Sequence, residues 1–135
     1  MFPTPPDSES RHVVLVDDDE AVRLSTALLL RANGVPVSSY ANAEDALAAA
    51  EPIDAACLLL DYVLPDMDGF ELLARLRADG VAAPALLLTG RHAPGLDLEA
   101  KRVGFETILH KPTAPRRLVA CVAASMQNRD GDPKN

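Results

Sequence analysis

Five short apolar runs, spaced almost evenly along the chain, constrain its fold more than any other feature: HVVLV at 12–16, VPVSSY at 35–40, AACLLL at 55–60, PALLL at 84–88 and FETILH at 105–110. Near-continuous Val, Leu and Ala, in place of polar–apolar alternation, is what strands covered by helices on both faces require. The second run departs from this. Pro36 lacks the N–H of a central strand, so that run belongs at a sheet edge.

Between the runs the chain reads as helix with recognisable ends. Asp19 caps a first helix that lasts to about Asn33, with Gly34 placed for a left-handed stop. Asn42, followed by Asp45, opens an Ala-rich second helix ending near Pro52. Asp68 and Gly69 precede FELLARLRADG, in which Phe70, Leu73 and Leu76 give one apolar side. The stretch 94–103 is the weakest helix, and Thr113 caps the last, where Leu118, Cys121, Val122 and Ser125 return at helical spacing. Strict βα alternation implies a parallel sheet with right-handed crossovers and helices on both faces. With the Pro36 strand at an edge, the strand order is 2-1-3-4-5, a flavodoxin-like (βα)5 doubly wound fold. Its ligand site lies at the carboxyl ends of strands 1 and 3.

A chain of 135 residues with 48% hydrophobic residues fills one core. The expected body is 11–128, with 1–10 a disordered leader and 129–135 a flexible tail. A net charge of −7 and the absence of Trp argue against direct binding to nucleic acid, which needs a basic face and stacking platforms. No apolar stretch approaches the roughly 18 residues that span a bilayer. Cys57 and Cys121 sit in apolar surroundings without framework spacing and read as core residues of a reducing, cytoplasmic compartment.

Strand 1 ends in VDDDE and strand 3 in LLLD, so Asp17, Asp18 and Asp61 converge at the switch point. Three close carboxylates repel one another unless a cation offsets them, and an oxygen-only set with open positions suits Mg²⁺. Asp19 and Glu20 are accounted for as helix N-terminal acids favoured by the macrodipole. That explanation does not reach Asp61, at the end of a separate strand. Strand 4 ends in Thr89 and strand 5 in Lys111, a hydroxyl and an ammonium that together form a receptor for an anion beside the metal. Singly each is ordinary; all of them at successive strand ends is not.

The blocks VLVDDDE, LLLDYVLPDMDGFELL, LLLTG and LHKP, in this order, resemble the signature blocks of response-regulator receiver domains over nearly all of residues 11–128. The resemblance implies that Asp61 is the phosphoacceptor. It implies that Asp18 ligates Mg²⁺ directly and Asp17 directly or through water, with the main-chain carbonyl of Val63 as a further ligand. Thr89 would bond a phosphoryl oxygen, Lys111 would pair with it, and Lys111–Pro112 would be cis. Pro65, Asp66, Asp68 and Gly69 match the loop into the third helix and read as structural. The donor would be a sensor histidine kinase or a histidine phosphotransfer protein. Output would pass by contact to a downstream protein target, or through a homodimer on the face of helix 4, strand 5 and helix 5. Such a domain is no enzyme in the ordinary sense; it assists its own phosphorylation and dephosphorylation.

The chain departs from the family at two positions. Ile108 stands where many members carry Tyr or Phe, and Thr113 where Phe is common, so signalling is expected to run through the backbone of residues 90–95. The resemblance implies that Val63 and Arg91 flank the path of the attacking water, and slow self-dephosphorylation is expected. Other readings fit less well. A nucleotide binder of this fold needs a loop after strand 1 that welcomes phosphate, and VDDDE repels it. A haloacid-dehalogenase phosphatase needs a second Asp where Val63 stands. A pseudo-receiver, which mediates contacts without phosphorylation, lacks one or more of the residues kept here. A receiver cut from a larger transcription factor or hybrid kinase is the remaining alternative; the starting Met and polar ends favour a stand-alone protein.

Overall fold

The structure is a computed structural model, and it describes residues 12–49 and 51–131. Five strands, β1 (Val13–Val16), β2 (Val37–Tyr40), β3 (Cys57–Asp61), β4 (Ala85–Thr89) and β5 (Thr107–His110), pair in parallel in the order β2-β1-β3-β4-β5. The helices are α1 (Glu20–Ala32), α2 (Ala43–Ala48), α3 (Gly69–Ala78), α4 (Leu96–Val103) and α5 (Pro115–Gly131). A 3₁₀ turn, Glu51–Asp54, lies between α2 and β3.

The apolar runs explain the layering. Every residue of β1, β3 and β4 is buried, whereas β2 and most of β5 are half-buried at the edges. Alternate residues feed two cores. Val14, Val16, Leu58 and Leu60 face one, covered by α2, α3 and α4 through Ala43, Ala46, Leu72, Leu73, Leu76 and Ala100. Val13, Leu15, Cys57 and Leu59 face the other, covered by α1 and α5 through Ala27, Leu30, Leu118 and Val122. This is the doubly wound arrangement expected from the alternation.

Helix ends largely follow their local signals. Asp19 accepts from the Val22 amide at the start of α1. At its end Gly34 has φ +83°, and the amides of Gly34 and Val35 return to the carbonyls of Arg31 and Leu30 at 2.9 and 3.0 Å. Such a stop satisfies the last carbonyls and suits a residue without Cβ. Five boundaries differ from expectation. Pro36 lies just outside β2, where its carbonyl accepts from the Val13 amide at 2.9 Å. Phe105 and Glu106 precede β5, Phe105 being buried in the core. The second helix stops at Ala48, and Pro52 sits in the first turn of the 3₁₀ segment, where its missing N–H does no harm.

Thr113 does not cap α5. Pro115 takes the first helical position, which its fixed φ favours, and the Leu118 amide bonds the Ala114 carbonyl at 3.0 Å. Thr113 is left outside, its hydroxyl donating to the His110 carbonyl at 3.0 Å. The last helix also runs on past Asn128 to Gly131. Residues 1–10 and 132–135 lie outside the described residues. Among those described, no helix is long and apolar enough to cross a membrane.

Candidate functional site at the strand ends

The strand register brings the site together. Val16 lies opposite Leu60, Asp61 opposite Leu88, and Thr89 opposite His110. The ladder then continues by single bonds: Asp17 amide to Tyr40 carbonyl (3.1 Å), Tyr62 amide to Leu88 carbonyl (2.9 Å) and Lys111 amide to Thr89 carbonyl (2.8 Å). The backbone is therefore fixed where the functional side chains begin. Asp17, Asp61 and Thr89 are 0%, 6% and 1% exposed, and Asp18 stands at the exposed rim.

Asp17, Asp18 and Asp61 each place a carboxylate oxygen within 4.8 Å of the other two. The Lys111 ammonium lies between the buried pair, donating to Asp17 Oδ2 at 3.0 Å and Asp61 Oδ2 at 2.9 Å. Burial pushes the Asp61 carboxyl above its ordinary value, and the like charge of Asp17 adds to this against the opposing pull of Lys111. For Lys111, burial works against the ammonium, but its bonds to Asp61 and Asp17 outweigh it and hold its pKa up. Two further donors bond Asp17. The Asp19 amide donates to its Oδ1 at 3.0 Å and Arg23 Nη1 to its main-chain oxygen at 2.9 Å. Asp61 Oδ1 accepts a long bond, 3.4 Å, from the Val63 amide, which leaves it the freer oxygen of that carboxylate.

The loop from β3 to α3 is built around close approaches. The Gly69 amide donates to the Tyr62 carbonyl at 2.7 Å, Val63 and Asp68 form an antiparallel bridge, and Asp68 caps α3 by accepting from the Glu71 amide at 2.9 Å. A Cβ on Gly69 would lie 2.5 Å from the Asp61 carbonyl oxygen, so the glycine is what lets α3 start against the site. On the other side, the Thr89 hydroxyl accepts from the Arg91 amide at 2.9 Å. The Arg91 guanidinium lies 5.9 Å from the centroid of the Tyr62 ring. The Lys111–Pro112 bond is cis, as the resemblance implies.

The residues singled out in the sequence thus converge, with Val63 in the adjoining loop. His92 and His110 stay apart from the carboxylates: their rings stack at 4.6 Å, and His110 Nε2 lies 3.4 Å from Asp97. Sequence reading missed Arg23, and it read Asp66 as structural without its partners. Arg23 is six residues along α1 from Asp17, a spacing that signals nothing until the helix direction is known. Asp66 meets residues more than twenty positions away.

A group of three carboxylates presenting only oxygen, two of them buried and one at the rim, fits a hard divalent cation. The sequence profile of the response regulator receiver domain matches residues 13–123. The chain is 36% identical over 118 residues to the transcriptional regulatory protein FixJ of Azorhizobium caulinodans, covering 87% of this chain and 56% of that protein. It spans about half the length of the curated relatives it matches, between 48% and 60%. Among solved structures it resembles the chemotaxis protein CheY4 of Vibrio cholerae (29% identity, TM-score 0.78, 85% of this chain and 98% of that one). It also resembles a CheY-like receiver domain of Methanospirillum hungatei (26%, TM-score 0.80, 89% and 96%). The strand order, the acids at the ends of β1 and β3 and these likenesses agree: the chain belongs to the response regulator receiver domains of two-component signalling.

Proposed function

We propose that this receiver accepts a phosphoryl group on Asp61 from a phosphohistidine of a sensor histidine kinase or histidine phosphotransfer protein. The observation that carries this is the buried Asp61 carboxylate, bonded through Oδ2 to Lys111 and leaving Oδ1 the freer oxygen. Asp17, Asp18, Asp61 and the main-chain carbonyl of Val63 would hold Mg²⁺, which when bound offsets charge on the equatorial phosphoryl oxygens. In the transfer, an Asp61 oxygen forms a bond to phosphorus as the P–N bond to the donor imidazole breaks, giving an acyl phosphate. Lys111 moves part of its bonding from the carboxylates to a phosphoryl oxygen. Thr89 donates its hydroxyl proton to another while still accepting from the Arg91 amide.

The same groups supply the switch. Moving a two-state equilibrium from 1:99 to 99:1 takes roughly 5.5 kcal/mol, whereas one charge-assisted hydrogen bond contributes roughly 1.5–3 kcal/mol. Lys111 is insufficient alone, and Thr89 and the metal share the work by drawing residues 90–95 toward the phosphoryl group. The domain assists its own phosphorylation and hydrolysis, and its output passes to a protein partner or to a second copy through α4, β5 and α5. Cytoplasmic residence is supported by the donor chemistry and by the two unpaired cysteines. A second reading is favoured by the match to about half of FixJ: the same switch governs a transcriptional regulator.

Incubation with Mg²⁺ and acetyl phosphate, followed by borohydride trapping and mass spectrometry, should label Asp61 alone. Label on another residue, or undiminished labelling of Asp61→Asn, defeats the assignment.

A further inference from the structure

The segment from Tyr62 to Asp68 carries the Val63 carbonyl and is tied at both ends, by the Tyr62 amide to β4 and by the Asp68 cap to α3. Its middle is tied by Asp66. This exposed side chain divides its carboxylate between two amides at the start of α2, Oδ1 accepting from Ala43 N at 3.1 Å and Oδ2 from Glu44 N at 2.8 Å. Asn42 takes the third amide, accepting from Asp45 N at 2.8 Å. A six-residue helix cannot sustain itself in water, and its first amides have no partners within the helix. The cap of α2 is thus shared: one part comes from the adjoining Asn42 and the other from the loop beside the carboxylates.

The attachment is firm at both ends. Ala43 and Ala46 are fully buried against a core that includes Leu58, Leu60 and Leu72, so the start of α2 is fixed relative to β3. What little burial Asp66 has opposes ionisation. The amides of Glu44 and Ala43 outweigh it and hold the carboxyl below the usual carboxylate range, so both bonds are charge-assisted at neutral pH.

We propose that Asp66 is a positioning residue for the metal site: by anchoring the loop to α2, it sets the spacing between the Val63 carbonyl and the Asp61 carboxylate. The proposal rests on the reading of Asp17, Asp18 and Asp61 as a Mg²⁺ site. Coupling of this kind is reciprocal. An ion held by the carboxylates steadies the loop and strengthens the grip of Asp66 on α2, so the Ala43 and Glu44 amides open less often.

The test compares Mg²⁺ affinity and hydrogen exchange in the full chain and four variants. Asp66→Ala should raise the Kd for Mg²⁺ about tenfold, the lower end of what loss of an outer partner costs a metal site. Asp66→Asn keeps one carbonyl acceptor and should fall between Asp66→Ala and the parent, which also covers the case in which Asp66→Ala folds poorly. Asn42→Ala removes the other part of the same cap, with a comparable stability loss, but leaves the loop tied and should bind Mg²⁺ like the parent. Mg²⁺ should slow exchange at Ala43 and Glu44 in the parent and not in Asp66→Ala. Unchanged affinity in both Asp66 variants, or equal weakening in Asn42→Ala, overturns the positioning role while leaving the metal site standing. The control is Asp18→Ala: if it binds Mg²⁺ like the parent, the ion lies elsewhere and both readings fall together.

Discussion

The Asp61 carboxylate loses water on burial and has Asp17 as a like-charged neighbour, and Lys111 offsets only part of that cost. Its pKa in the folded state therefore lies above the unfolded value of about 3.9. Between the two values the folded state binds more protons, so stability falls as pH rises through that window and stays lower at neutral pH. Asp61→Asn keeps the shape and removes the charge, so without Mg²⁺ at pH 7 it should melt higher than the parent. A gain of about 1 kcal/mol corresponds to roughly 4 °C in a domain of this size. The difference should close as pH drops below the unfolded value, and thermal melts followed by circular dichroism at both pH values check it. An equal or lower Tm for Asp61→Asn at pH 7 contradicts the charge argument. The acids were legible in the sequence because each stands within two residues of the end of an apolar run. The two hydrogen bonds that Lys111 donates were not, since nothing local pairs it with Asp17 as well as Asp61.

Among the elements, α3 starts in direct contact with the backbone of the site. A methyl group at Gly69 meets the Asp61 carbonyl oxygen, which is backbone and yields only if β3 or α3 shifts. Gly69→Ala should cost about 1–3 kcal/mol, the usual range for overpacking, read from the denaturant midpoint at unchanged m. A midpoint within error of the parent would show that α3 slides freely. The start of α4 has no side-chain cap, and Gly95 before it takes φ +83°. Ile108, half-buried on β5, is β-branched and held to few rotamers. On loading with beryllofluoride, amides over 90–103 should shift while the Ile108 methyl rotamers stay; a still loop with a moving Ile108 refutes this. Caps at Asp19, Asn42 and Asp68 could be read from sequence because a short polar side chain beside its own amides acts locally. The start of α5 could not, because Pro115 and Thr113 compete for the boundary and only packing decides between them.

For the molecule as a whole, two cores share the central strands, so β3 opens only when both separate. Cys57 lies there without exposure, its thiol pushed up to about 12 chiefly by burial. Its reaction with a thiol reagent should follow global unfolding, with a rate that rises with denaturant as the unfolding equilibrium does. Cys121, half-buried on α5, should react sooner. Mass-spectrometric labelling distinguishes them, and equal rates would mean that the α1 and α5 layer opens by itself. The layer order was legible because continuous apolar runs permit no wet face and Pro36 marks an edge. Which helix packs on which face followed from handedness, a property of the whole chain that no single segment displays.

Asp17 and Lys111 are 94 positions apart, yet their bond at 3.0 Å completes the charge balance of the site. A chain emerging from the ribosome exposes the acids long before their ammonium partner exists, and until then only a bound cation can offset their charge. On the proposed reading, the site is complete only when the fifth strand and the lysine after it have joined the sheet. A chain that stops short of residue 111 would lack the ammonium that bonds both buried carboxylates.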